Sequence, residues 1–397
     1  MNRTLVAVLS SLLLSGASLA ETTLPLCVLD PAAMPESWRP AAELGLELNA
    51  TPWSAEEARD ARRAIEVGVE EMLNLHADRP GAIPEIWEDA VGSLIEVSYS
   101  GANGIAVDAA VRDGARDNLS ALIATYMERA PVSATCEEYE LLLPLALYAN
   151  KFYQKQDLRI SFMVEFTNAA YRACGSFDGA VDFDYPEVFE NKAALTDDVF
   201  DLVIWSLLFI EAELVPGLEL PAEARAFSPE LWAYLETYPL PDAKMFEDGA
   251  WNDDFIEIAY LATHIAYIPT GNHRHPIYIE DSPNLYRFHR DNFYPVLEMG
   301  ELDLVAEFVD SLRQYGCTPE NDVQVRDGTR FLLDIFHDGD DRWMAYREPG
   351  ESDSEVEAYD FIHKAWTGVL GVRERVLEPS EPGTYGGVVR EWLPAPG

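Results

Sequence analysis

Basic residues are scarce in this chain. Lys and Arg total 28 against 70 Asp and Glu over 397 residues, a formal net charge of −42 at pH 7. Nucleic-acid binding needs a cationic face that displaces counterions from phosphates, so this balance excludes it. Docking on an anionic membrane surface is excluded on the same ground. Lysine is the rarer cation, at Lys151, Lys155, Lys192, Lys244 and Lys364 only. Long apolar runs are missing beyond the N-terminus: Leu202 to Ile210 is the most apolar stretch and is about half the length of a membrane span, so no membrane anchor is expected. Cysteine is limited to four residues with no CxxC or CxxCH, which leaves no thiol-redox motif and no covalent haem site. No GxSxG, P-loop or Rossmann glycine pattern is present either.

What the chain does have begins with a processing signal. Arg3 precedes a largely apolar run from Leu5 to Leu14, and Ser18-Leu19-Ala20 supplies the small residues of a cleavage site. This predicts a secretory signal peptide over residues 1–20 and a periplasmic or secreted protein. Four cysteines follow it, Cys27, Cys136, Cys174 and Cys317, an even number that an oxidising compartment favours pairing as two disulfides. Three connectivities are open. Cys136–Cys174 with Cys27–Cys317 is preferred, because the second pair pins the N-terminal extension to the body. Dense carboxylates keep such a protein hydrated in high salt, which also screens their repulsion.

Helical periodicity dominates and alternating strands are missing. Ser54 with Glu57 three residues on forms a capping-box pattern that opens a helix running to about Leu75. Amphipathic segments follow near 85–97, 106–128, 137–151, 158–173, 197–213, 228–236, 253–267, 285–298, 302–315, 324–337 and 359–376, with proline and glycine breakers between them. The chain therefore reads as all-α, about twelve helices, divided into the signal peptide (1–20), an N-terminal extension (21–52) and one helical domain (53–397).

Twelve helices in hairpins fit an (α/α)6 toroid, and a local pattern carries the likeness. Phe331-Leu332-Leu333 ends one helix, Asp341-Arg342-Trp343 forms a polar turn, and Tyr359-Asp360-Phe361-Ile362-His363-Lys364-Ala365-Trp366-Thr367-Gly368-Val369 opens the next. This resembles the repeat of terpenoid-cyclase-type α/α toroids over about fifty residues. The long acidic loop at 347–358 departs from the tight family repeat. An α-solenoid or irregular helical bundle is the competing architecture.

The histidines carry the clearest chemical signal. Six of the seven, His264, His273, His275, His289, His337 and His363, lie in the last third of the chain. Histidine titrates near neutrality and is the commonest metal ligand. His264 shares a helix face with Glu257 and Tyr260, and the run from Pro269 to His275 forms the loop beyond. His363 shares a face with Tyr359, Trp366 and Thr367. His264 and His363 are expected to be acid/base groups, Tyr267 and Tyr359 proton donors, and Arg274 and Trp366 substrate contacts. His273, His275, Glu280 and His289 have the ligand types of a divalent-metal centre. Core or solvent-exposed histidines are the plainer alternative.

Three acidic patterns are weaker signals: Asp338-Gly339-Asp340-Asp341 matches DxDD, Asp253-Asp254-Phe255-Ile256-Glu257 matches DDxxE, and His337-Asp338 matches the HD pair. In so acidic a chain such runs arise by chance. The toroid likeness implies a lyase or hydrolase doing acid–base chemistry on a carbohydrate or small alcohol in a central cavity. The alternative is a non-catalytic periplasmic protein that binds a metal or small ligand through the C-terminal histidines.

Overall fold

The computed structural model describes residues 25–78, 87–99, 105–181, 185–190, 196–247, 249–347, 358–374 and 376–393. The expected signal segment and residues 348–357 of the acidic loop lie outside them. Among the described residues there is no strand. The α-helices are α1 Glu57–Asp78, α2 Trp87–Tyr99, α3 Ile105–Met127, α4 Tyr139–Phe152, α5 Leu158–Cys174, α6 Phe177–Val181, α7 Tyr185–Glu190 and α8 Thr196–Ala212. They continue with α9 Ala222–Leu235, α10 Asp253–Ile265, α11 Tyr267–Thr270, α12 Pro283–Met299, α13 Leu302–Gln314, α14 Val323–Asp338, α15 Ala358–Val372 and α16 Tyr385–Arg390. The protein is all-α, and the twelve longer helices are those the apolar periodicity predicts. The other four, α6, α7, α11 and α16, are too short to register a period.

Local chemistry sets the boundaries. Ser54 and Glu57 satisfy one another at the start of α1, with Glu57 Oε2 2.7 Å from the Ser54 N–H and the Ser54 hydroxyl 3.2 Å from the Glu57 N–H. Asn252 and Asp322 cap α10 and α14 with side-chain oxygens. Gly175 and Gly300 end α5 and α12 in the left-handed conformation. Helix α9 starts six residues before its expected onset and carries Pro229 inside it. The missing N–H there costs about 3 kcal/mol, which burial of Ala224, Phe227 and Leu231 along one face offsets.

The packing is pairwise and largely sequential. Helix α8 contacts α4 and α10, α10 contacts α13, α13 contacts α15, and α15 contacts α2. Each of these also packs against a chain neighbour, α2 on α3, α4 on α5, α8 on α9, α13 on α12 and α14. Helix α1 closes against α15. Trp343, in the polar turn after α14, is fully buried in a slot between α1 and α15. Its indole N–H donates to the Ala64 carbonyl at 2.9 Å, and its backbone N–H donates to Glu71 at 3.0 Å. The slot exists because Gly68 and Gly368 lack side chains: a Cβ on Gly368 would lie 2.5 Å from the Trp343 ring.

The segment before α1 runs as a strap over α12 and α14. Both preferred disulfides form: Cys27–Cys317 with Cα atoms 5.5 Å apart, and Cys136–Cys174 with Cα atoms 4.6 Å apart. Arg290 anchors the strap from a fully buried position. It donates to Asp322 at 3.0 Å, to Gln324 at 3.0 Å and to the Leu26 carbonyl at 2.7 Å, with its guanidinium over the Trp38 ring. Asp322 in turn accepts from the Val28 N–H at 3.0 Å. No helix of the described residues is long and apolar enough to cross a membrane. Removing Cys27 and Cys317 together (both to serine) is expected to destabilise the fold by about 2–5 kcal/mol. Asp322→Ala should cost about 3–5 kcal/mol, because it leaves the Arg290 charge buried without its partner. Denaturant midpoints measure both, and unchanged midpoints would show that the strap is only an appendage.

Candidate functional site

Helix α13 is buried on nearly every side, yet it carries Asp303, Glu307, Asp310 and Gln314. Their spacings of four, three and four put them along one stripe. A buried carboxylate needs hydrogen bonds or counter-charges. Three elements supply them: the end of α10, the loop after α11 and the face of α15.

The loop provides the most enclosed partner. Pro269 and Gly271 end α11, and Gly271, Asn272 and His273 then follow in succession with positive φ. For Asn272 and His273 this left-handed conformation costs about 1–2 kcal/mol each. It turns the His273 imidazole back between two helices. Nε2 lies 2.5 Å from Glu96 Oε1 of α2, and Nδ1 contacts Asp310 of α13. The Gln314 amide nitrogen stands 2.9 Å from the same Nδ1 and 3.2 Å from Asp310. His273 is thus a buried imidazole held between two carboxylates. Such strain at a polar cluster is a pointer to function.

A second group lies further along the stripe. The Thr263 hydroxyl is 2.7 Å from the Tyr260 carbonyl and 2.5 Å from Glu307 Oε2. A hydroxyl has one proton to give, so it serves one of these two oxygens at a time. Burial pushes Glu307 up to about 8, against the Thr263 hydrogen bond and the His363 charge, with the Asp303 and Glu96 charges adding to the rise. His264 Nδ1 sits 2.9 Å from the Tyr260 carbonyl and 3.9 Å from Glu307. Burial pulls His264 down to about 4 despite that carbonyl, and the charges of His363 and His273 also oppose its protonation. An acid held protonated and an imidazole held neutral are thus neighbours.

His363 of α15 completes the group. Its Nδ1 is 3.5 Å from Asp303, and its ring lies between Tyr359 and Trp366, with centroids 4.9 and 5.7 Å away. Burial pushes Asp303 up, but hydrogen bonds to His363 and Tyr260 more than compensate and hold it below its ordinary value. Tyr267 is buried between the His264 and His273 rings, at 4.8 and 4.3 Å. Tyr359 is partly exposed.

Beside this cluster opens a cavity of about 450 Å³. Glu96, Asn272, Arg274 and Trp366 form one side of it, so the cavity and the cluster share the wall that Glu96 and the strained loop make. Lys151 and Tyr148 of α4 and Glu211 of α8 also line it. Arg274 pairs with Glu211, donates to the Gly271 carbonyl at 2.7 Å and lies over the Tyr385 ring. His264 and His363 do not line this cavity, and each side chain is only 18% exposed.

The four residues expected to hold a metal are not brought together. His273 lies in the cluster. His275 faces the Glu378 carbonyl at 3.0 Å and stacks on Tyr385. Glu280 is exposed. His289 is fully buried beside Phe288 and Phe308, and burial pulls it down to about 3. Among the described residues, the one acidic, histidine or cysteine group close enough to share an ion is Cys27, Cys317 and Asp322, whose cysteines form a disulfide.

Glu96, Asp303, Glu307, Asp310, Gln314 and Lys151 were not singled out by sequence. Helix α13 did offer a signal, since a segment apolar on several faces that still carries three acids must bury them.

The two shifted groups make stability depend on pH in a defined way. Folding raises Glu307 from 4.5 to about 8, so between those values the native state binds the extra proton and stability falls as pH rises through 8. His264 acts in the other direction: its contribution is complete above 6.5 and lost as pH falls through about 4. The slope of melting temperature against pH should therefore be more negative in the wild type than in Glu307→Gln between about pH 4.5 and 8. An equal slope in the variant would place the titration elsewhere.

No protein-family model matches this chain, no curated protein matches it, and no solved structure matches it.

Proposed function

We propose that this protein is an exported enzyme of lyase or hydrolase type, doing acid–base chemistry on a carbohydrate or small alcohol in the cavity walled by Glu96, Arg274 and Trp366. The observation that carries the reading is the Glu96–His273–Asp310 arrangement at the cavity wall. Glu96 is the cavity-side carboxylate, the His273 Nε2 stands 2.5 Å from its Oε1, and Asp310 and Gln314 stand against the opposite imidazole nitrogen. A carboxylate backed in this way takes and returns a proton without moving. The neighbouring Glu307 and His264, driven in opposite directions by burial, have the separation of proton affinities that acid/base pairs require.

Hydroxylated ligands suit the cavity, because polar lining residues such as Asn150, Asn272, Arg274 and Glu211 stand beside its apolar walls. A hydroxyl group both donates and accepts. The two disulfides support an oxidising compartment, in line with the signal segment.

An (α/α)6 toroid is the architecture we infer. The succession α4–α8–α10–α13–α15–α2 would form the inner ring, with α5, α9, α12, α14, α1 and α3 outside it, and the cavity would then be axial. The pairwise packing supports this order.

A library of neutral sugars and small alcohols, assayed by mass spectrometry for product, tests the function. Turnover is expected, and Glu96→Gln should lower it by about 10²–10⁴-fold with little change in melting temperature. His264→Ala and His363→Ala should also abolish it, whereas His337→Ala, at an exposed site bonded to Asp341, should not. Ligand binding without turnover would make this a binding protein. Loss of activity in the His264 and His363 variants but not in Glu96→Gln would move the chemistry to the Glu307 side of α13.

A further inference from the structure

Lys151 stands at the end of α4 in the cavity wall, which Asn272 and Arg274 of the strained loop also line. The preceding residues Leu142 to Ala146 are buried, so the helix that delivers this cation is otherwise a core element. Lys151 is exposed, and the space it is exposed to is the concave one that the cavity residues line. Leu147, Ile204, Leu207 and Leu208 make the adjoining walls apolar. Arg274, Glu211 and Glu378 are the charged groups that bear on the amine.

We propose that Lys151 is a nucleophile that condenses with the carbonyl of a small aldehyde or ketone held in this cavity, the open-chain form of a sugar being the natural case. The proposal rests on the cavity being the substrate site, and it adds a covalent step to the acid–base reading.

The chemistry balances within the cavity. The amine lone pair attacks the carbonyl carbon, the amine loses a proton and the oxygen gains one, giving a carbinolamine. Protonation of that hydroxyl lets it leave as water while the nitrogen lone pair forms the C=N bond. Glu211 and Glu378 are the cavity carboxyl groups able to carry these protons. Water addition reverses the sequence and frees the lysine.

The surroundings favour the reactive form of the amine. An ordinary lysine is almost wholly protonated at neutral pH and cannot attack. Desolvation together with a neighbouring cation is a recognised way to free the lone pair. Here burial pulls the Lys151 amine well below its usual range and the Arg274 charge adds to it, against the opposing pull of Glu211 and Glu378.

Reductive trapping reads this step on the protein itself. The full-length processed protein would be incubated briefly at pH 7 with glyceraldehyde and sodium cyanoborohydride, then digested and mapped by mass spectrometry. Exposed Lys155 and Lys244 serve as internal controls. The adduct on Lys151 is expected to exceed that on either control by at least about tenfold at pH 7. The excess should shrink near pH 10, where exposed lysines also lose their protons. Equal labelling of Lys151 and Lys155 at pH 7 would overturn the proposal, since Lys151 would then be an ordinary surface amine. Lys151→Met should remove the dominant adduct and leave the control adducts unchanged; persistence of the dominant adduct would also overturn it. Trapping needs no turnover, so its failure is separable from a failure of the Glu96→Gln test.

Discussion

Burying carboxylates inside a helical core is the constraint from which the site follows. Helix α13 packs against α10, α12, α14 and α15, so Glu307 and Asp310 are buried and Asp303 is only partly open to solvent. Asp303, Glu307 and Asp310 must then be neutralised, hydrogen-bonded or protonated where they stand. Asp303 is held below its ordinary value by His363 and Tyr260, burial pushes Glu307 up beside Thr263, and Asp310 meets His273 and Gln314. These requirements place three histidines from three elements on one stripe. They also oblige the chain after α11 to adopt two left-handed non-glycine residues in order to bring His273 in.

The fold was legible because burial of one helix face leaves a period in the sequence, and the twelve longer helices show it. The strap was legible only in part: the even cysteine count pointed to two disulfides, and the preference for Cys27–Cys317 among three open connectivities placed the N-terminal extension against the body. The site was only half legible. Histidine is rare here, so its crowding into the last third of the chain stood out, and His264, His273 and His363 do meet the α13 stripe. His289 shows the limit of that signal, because a histidine among phenylalanines looks the same in sequence as one beside an acid. The acids were illegible for the opposite reason. Among 70 of them nothing local marks Glu96 or Glu307 as the ones that tertiary packing desolvates.

The cavity and the cluster divide the polar work between two environments. Cavity groups such as Arg274 and Glu211 meet one another as charges beside open space. Cluster groups such as Glu307 and His264 are largely kept from open space, and there the cheaper course is to neutralise than to pair. Glu96 belongs to both, being in the cavity wall and against His273.

The strap has a consequence for the order in which the molecule is assembled. Cys27 is made early, yet the surface it docks on, Arg290, Cys317 and Asp322, is made some 290 residues later. Cys136 and Cys174 are only 38 residues apart, whereas Cys27 meets a partner 290 residues away. The strap can therefore dock only once the segment carrying Arg290, Cys317 and Asp322 is in place, and its disulfide then ties residues 27–317 into a single covalent loop.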